Sequence, residues 1–119
     1  MDINIFELIR IWGRGKGLND AKSQYLKLGE ENGEISRAMT KGDMRELAME
    51  IGDAVVVLTN LAMIYGIDIE DCITAAYTKI SKRKGETVDG IFIKAAEYPE
   101  MLDDTTDEYM PRPTDRERP

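Results

Sequence analysis

Glu30-Glu31-Asn32-Gly33-Glu34 and, after a spacer of fifteen residues, Glu50-Ile51-Gly52-Asp53 decide how this chain is read. Both stretches have helical surroundings. In a helix, Glu31 and Glu34, like Glu50 and Asp53, stand one turn apart on the same face. Acids placed this way repel one another unless a cation holds them. Hard oxygen donors suit Mg2+, with Mn2+ or Ca2+ as alternatives, and Mg2+ held by helix carboxylates points to phosphate chemistry.

The helical pattern extends outward from these pairs. A second helix is expected from a cap at Asn19 or Asp20 to about Met39, with Gly42 as its stop. A third opens with Asp43 as cap and Glu46 three residues on, and ends at Tyr65-Gly66. At about 100° per residue, Leu47, Ala54, Val57, Leu58 and Leu61 make its apolar stripe. Glu50 falls inside that stripe, where an ionised carboxylate has to be paired, protonated or bound to metal. Asp53 lies at the stripe's edge, and Asn60 two turns beyond it. On the second helix, Glu31 is flanked by Leu28, Ile35 and Ala38, with Lys27 one turn before it, while Glu30 lies to the side as an outer acid. Gly29, Gly33 and Gly52 are read as points where a helix or ligand approaches closely.

A lone Glu-x-x-Glu ordinarily makes salt bridges on a solvated face. Two such pairs, each on an apolar stripe and short of nearby lysine, argue instead for a shared cation.

A first helix is expected from about Ile3 to Trp12, with Ile5, Phe6, Ile9 and Trp12 on one stripe. Trp12 is read as core, its other use being to stack on a base. Gly13 to Gly17 reads as a flexible basic loop, with Arg14 and Lys16 available for phosphate. A fourth helix starts at Asp68, carries Lys82, Arg83 and Lys84 in its last turn and closes at Gly85. Lys79 and Arg83 at its end either complement the helix dipole or clamp phosphoryl oxygens. Thr87 to Ile93 is an extended segment covering the bundle, followed by a brief helix from Lys94 to Glu97. From Pro99 the chain holds all four of its prolines and seven acids, which marks a flexible tail. The expected division is therefore a domain over 1–98 and a tail over 99–119.

Composition excludes several functions. The chain has 119 residues, 23 acidic and 16 basic side chains and a net charge of −7, the wrong sign for nonspecific nucleic-acid binding. It has no histidine, which removes Ser-His-Asp, Cys-His and His-ligated zinc sites. Cys72 is the only cysteine, suits a reducing cytoplasm and is read as a packing residue. No signal peptide is visible, and the apolar run Ala54 to Tyr65 is short of the roughly 20 residues of a membrane span. That run is read as a buried helix, and no membrane partner is expected.

Glu-Glu-x-x-Glu, the fifteen-residue spacer and Glu-x-x-Asp together resemble the signature of the MazG-like, all-α nucleoside triphosphate pyrophosphatases. The resemblance runs from about Trp12 to Lys94. Lys27-Leu28-x-Glu30-Glu31-x-Gly33-Glu34 is similar to the family's first motif, and Glu50-Ile51-Gly52-Asp53-Ala54 to its second. Lys79-Ile80-x-x-Arg83 with Gly90-x-Phe92-x-Lys94 is similar to its third region. The resemblance implies an all-α four-helix bundle completed by dimerisation or tetramerisation. It also implies hydrolysis of a nucleoside triphosphate to the monophosphate and pyrophosphate, with Mg2+ on Glu31, Glu34, Glu50 and Asp53. Val55, Val56, Ala62 and Met63 extend the apolar surface of the third helix, as helices paired across subunits require.

On this reading Glu30 or Glu34 is the general base, Lys79 and Arg83 bind the β- and γ-phosphates, and Lys27 tethers a phosphate or steadies Glu31. Trp12 and Asn60 complete the substrate residues. The phosphoribosyl-ATP and dimeric dUTP branches share a similar acid pattern, so the acids do not select the branch. The other classes left open are a phosphohydrolase for phosphoribosyl-ATP or an alarmone, and a non-catalytic helical oligomer whose acids hold a structural cation.

Overall fold

The computed structural model describes residues 4–94. It is an all-α fold of four helices with one small hairpin: α1 Ile5–Gly15, α2 Ala21–Lys41, α3 Met44–Ile64, α4 Ile69–Ser81, β1 Gly85–Val88 and β2 Ile91–Lys94. These fall into two compact units, residues 4–69 and 70–94. The fold of the first unit positions the carboxylates.

Side-chain caps set where the helices begin. Asn4 accepts from the Phe6 N–H at 2.7 Å, which starts α1 two residues later than the stripe suggested. Asp20 accepts from the Ser23 N–H and Asp43 from the Glu46 N–H, so α2 and α3 open where their caps predict. The end of α1 differs more. Gly13 and Gly15 lie within the helix, not in a loop. The turn comes at Gly17, where φ is 71°, and Leu18 N–H reaches back to the Gly13 carbonyl. Gly42 and Gly66 close α2 and α3 with the same pair of backbone hydrogen bonds.

In this unit α3 packs along α2 and, over a shorter length, against α1. The buried apolar residues are few: Ala38, Val57, Met63 and Ile64. Buried beside them are the polar Arg10, Gln24, Glu31, Thr59 and Asn60. Thr59 donates to the Val55 carbonyl at 2.7 Å and Arg10 Nε to Glu7 Oε1 at 2.8 Å, so those two are satisfied locally. Burying a polar atom is costly unless it is paired, and of the remaining three residues Glu31 Oε2 and Asn60 Oδ1 are shielded with no hydrogen-bond partner among the described residues.

Two stripes fall differently from expectation. On α1 the buried positions are Arg10 and Gly13, with Ile5 and Trp12 at least half exposed, because the face toward α3 is rotated by about one residue. On α3, Val57 is buried but Leu58, Val55 and Ile51 are exposed. Met44–Ile64 is long and apolar enough to cross a membrane by length and composition, with mean hydropathy 1.7 over an 18-residue stretch of which only 28% is buried. The expectation of a helix buried all round does not hold within one chain, since α1 and α2 cover only part of its circumference.

The second unit corrects the end of the fourth helix. Helix α4 stops at Ser81, so Lys82, Arg83 and Lys84 lie beyond it and only Lys79 is in its last turn. Gly85 does not close a helix but opens β1, where a side chain would strike the Ile93 carbonyl. The expected extended segment is an antiparallel hairpin pairing Gly85 with Lys94 and Val88 with Ile91. Asp89 and Gly90 take φ of 51° and 80°, the left-handed values of a two-residue hairpin turn. Lys94 ends β2 instead of starting a helix, and the rest of that expected helix lies outside the described residues, as does the expected tail.

Candidate metal centre and adjoining pocket

Two helices bring four carboxylates together. Helix α2 supplies Glu31 and Glu34, and α3 supplies Glu50 and Asp53. One oxygen from each lies within 4.8 Å of the others. Glu31 is buried, Glu34 and Glu50 are half-buried and Asp53 is exposed, so the cluster runs from the helix interface to solvent. Spacing within each helix puts each pair on one face, and the packing of α2 on α3 brings the two faces together.

Charge in this cluster is not balanced by the protein. Lys27 Nζ stands 3.7 Å from Glu31 Oε1 and 3.2 Å from Glu30 Oε2. Arg37 reaches Glu34 only at 4.0 Å. Desolvation, then repulsion from Glu34 and Asp53, pushes the Glu31 carboxyl above its ordinary value. Desolvation followed by the neighbouring Glu34 and Asp53 carboxyls pushes Glu50 up to about 7. The Lys27 ammonium is raised in turn, first by its hydrogen bond to Glu30 and then by the charges of Glu30 and Glu31. Glu31 Oε2 is buried with no hydrogen-bond partner among the described residues.

An orphaned buried carboxylate oxygen within an all-oxygen donor set is what a hard divalent cation satisfies. Oxygens on opposite sides of Mg2+ stand about 4.2 Å apart and on Ca2+ about 4.8 Å, close to the span of this cluster. The four residues fit such an ion.

A pocket of about 530 Å3 adjoins the acids. Glu31 and Asp53 form part of its wall with Lys27, and Trp12, Gln24 and Asn60 form another part. That volume is in the range of small-molecule sites. Trp12 is half exposed there and is not core.

A model of the MazG nucleotide pyrophosphohydrolase domain matches residues 20–88, more than half of the chain. The chain belongs to the MazG family. No curated protein and no solved structure matches it. The MazG match begins at the α2 cap, spans both carboxylate helices and ends in β1. Trp12 therefore lies outside the matched residues. The MazG family is one of nucleotide pyrophosphohydrolases, and its members typically depend on a divalent metal.

The expected site residues divide into three groups. Glu31, Glu34, Glu50 and Asp53 converge, and Trp12, Lys27 and Asn60 line the pocket beside them. Glu30 is outside the cluster, exposed and paired with Lys27. Lys79 and Arg83 belong to the second unit, where Arg83 lines a separate pocket with Tyr77, Ile80 and Phe92.

Two buried residues of the first unit were missed from sequence. Gln24 is buried in the pocket wall, and the signal for it was its place three and seven residues before Lys27 and Glu31 on one helical face. Gly13 is buried against Asn60, whereas Gly29 and Gly52 face open space and Gly33 has only Arg37 Nη1 near, at 3.9 Å. No local pattern distinguishes these glycines.

Proposed function

We propose that this chain hydrolyses a nucleoside triphosphate to the monophosphate and pyrophosphate by attack of water on the α-phosphorus. The observation that carries this reading is the convergence of the Glu31, Glu34, Glu50 and Asp53 carboxylates within 4.8 Å beside a pocket of nucleotide size. Those four residues would hold Mg2+, or Mn2+ in its place. A bound ion of this kind offsets the charge of triphosphate oxygens and makes a water more acidic.

The general base is whichever of Glu30 and Glu34 the ion leaves uncommitted: Glu34 lies in the cluster, and Glu30 stands outside it beside Lys27. The carboxylate of the base accepts the proton of the attacking water as the new P–O bond forms and the bond to pyrophosphate breaks. Lys27, at the pocket wall, holds a phosphate oxygen and steadies Glu31. Trp12 and Asn60 receive the nucleoside. Lys79 and Arg83 neutralise the β- and γ-phosphates and the leaving pyrophosphate.

The chain works as a dimer or tetramer. Ile51, Val55 and Leu58 recur at i, i+4 and i+7 on α3 and are 49%, 36% and 38% exposed, an apolar stripe that a second copy would cover.

The test is a screen of nucleoside triphosphates with Mg2+, coupled to inorganic pyrophosphatase and read by chromatography. Pyrophosphate and monophosphate should appear in equal amounts and stop with chelator. Orthophosphate and diphosphate as first products, or no turnover of any nucleotide, would reject the reading.

A further inference from the structure

The second unit has almost no core of its own. Of its described residues only Ala75 is buried, whereas Tyr77 and Ile80 of α4 and Phe92 and Ile93 of β2 are 67%, 50%, 47% and 50% exposed. These four, with Ser81, Arg83 and Lys94, line a pocket of about 820 Å3 that lies wholly within the unit. No carboxylate among the described residues pairs with the Arg83 guanidinium or the Lys94 ammonium. Arg83 Nε is moreover shielded from solvent with no hydrogen-bond partner there. A guanidinium stays charged at every physiological pH, so a shielded donor on it calls for an anionic acceptor. Exposed apolar surface concentrated on so small a unit calls for a cover. The occupant that satisfies both carries acids and apolar side chains together.

The chain supplies such a segment. Between Glu97 and Glu108 lie six acids and no lysine or arginine, with Tyr98, Met101 and Leu102 among them. Lys94, itself a lining residue, is also the last described one. Three residues separate it from Glu97, a span of at most about 10 Å, so the segment starts within reach of the pocket. A second copy is the poorer occupant. From Lys79 to Lys94 the chain has five cations and two acids, and a symmetric contact there would set net positive surface against itself.

We infer that this pocket is the docking site of the chain's own segment 97–108, whose acids pair with Arg83 and Lys94 while its apolar residues cover Tyr77, Ile80 and Phe92. Tethering makes the contact intramolecular, so a few charge-assisted hydrogen bonds suffice to hold it. Arg83 is assigned to phosphate in the proposed reaction. The two uses exclude each other, and a polyanion bound at Arg83 releases the segment. The docking itself does not rest on that assignment.

The experiment is amide hydrogen exchange of the full chain, read by mass spectrometry over 97–108 and referred to a synthetic peptide of the same sequence. We expect exchange at least about tenfold slower in the protein than in the peptide, at a ratio independent of protein concentration. Arg83→Gln should cut that protection to under about threefold, with circular dichroism confirming its fold. A chain in which every acid from Glu97 to Glu108 is replaced by its amide should do the same, without touching the described residues. Exchange as fast as in the peptide, protection that rises with protein concentration, or protection unchanged in both variants would overturn the inference. Inorganic tripolyphosphate without metal should also abolish the protection. Protection that is lost in both variants yet resists tripolyphosphate would establish the docking and reject the phosphate role of Arg83. No readout involves turnover, so failure of the hydrolysis reading leaves the result intact.

Discussion

Asn60 Oδ1 sits where Gly13 has no side chain, so near that a Cβ on Gly13 would lie 2.1 Å from it. This contact joins α1 to α3 at the rim of the pocket, and it requires glycine inside a helix, where glycine costs about 1 kcal/mol relative to alanine. Gly13→Ala should nevertheless destabilise the protein, by about 1–2 kcal/mol in urea unfolding. Overpacking a buried contact costs about 1–3 kcal/mol, and Asn60, only 1% exposed, has little room to yield. A stabilised Gly13→Ala variant would mean that Asn60 moves freely.

Gly29→Ala should do the opposite. Nothing lies within 4 Å of the side chain it would gain, and it sits in the interior of α2. A gain of up to about 1 kcal/mol is expected. A loss would show that a second copy or a ligand closes on that face.

Glu50→Gln should lower pyrophosphate release at least about 100-fold and weaken Mg2+ binding, measured by turnover and calorimetry. The fold should persist. Without metal at pH 8 the variant should have a higher Tm than wild type, because one of four mutually repelling carboxylates has gone. Normal turnover would show that the site lies elsewhere.

The metal-free protein should lose stability as pH rises from about 4.5 to 7. The unfolded Glu50 carboxyl titrates near 4.3, whereas in the folded chain its value is about 7. Between those limits the folded state holds the extra proton, so raising pH favours unfolding until the folded group has ionised. Glu31, also raised, acts in the same direction. Saturating Mg2+ should flatten this decline, since a bound cation favours the ionised carboxylates. Tm against pH with and without Mg2+ makes the comparison, and identical slopes would argue against a cation site.

Leu58→Glu should dissociate the oligomer, seen as a fall in mass by light scattering. The charge falls on the exposed Ile51, Val55 and Leu58 stripe. A chain that is already monomeric would remove the reason for that stripe's apolar character.

Lys79→Ala and Arg83→Ala should each reduce kcat/KM by about 10- to 100-fold if they reach the β- and γ-phosphates. Unchanged kinetics for both would confine the substrate to the first unit.

Much of this protein was legible in the chain because the relevant physics is local. Asp20 and Asp43 start their helices and Gly42 and Gly66 end them through hydrogen bonds spanning only a few residues. The spacing of Glu31 with Glu34, and of Glu50 with Asp53, puts each pair on one helical face before any packing occurs. The Asp89-Gly90 turn was equally local, since that dipeptide favours the left-handed backbone of a two-residue hairpin. Tertiary structure alone decided which faces meet. It placed Glu31 and Glu50 side by side, turned Arg10 and Gly13 of α1 inward in place of Trp12, and left Gln24 and Asn60 lining one wall. Those outcomes depend on how α1, α2 and α3 rotate against one another to bury the most surface, a balance of many weak contacts between residues far apart in sequence, which no short stretch of chain encodes.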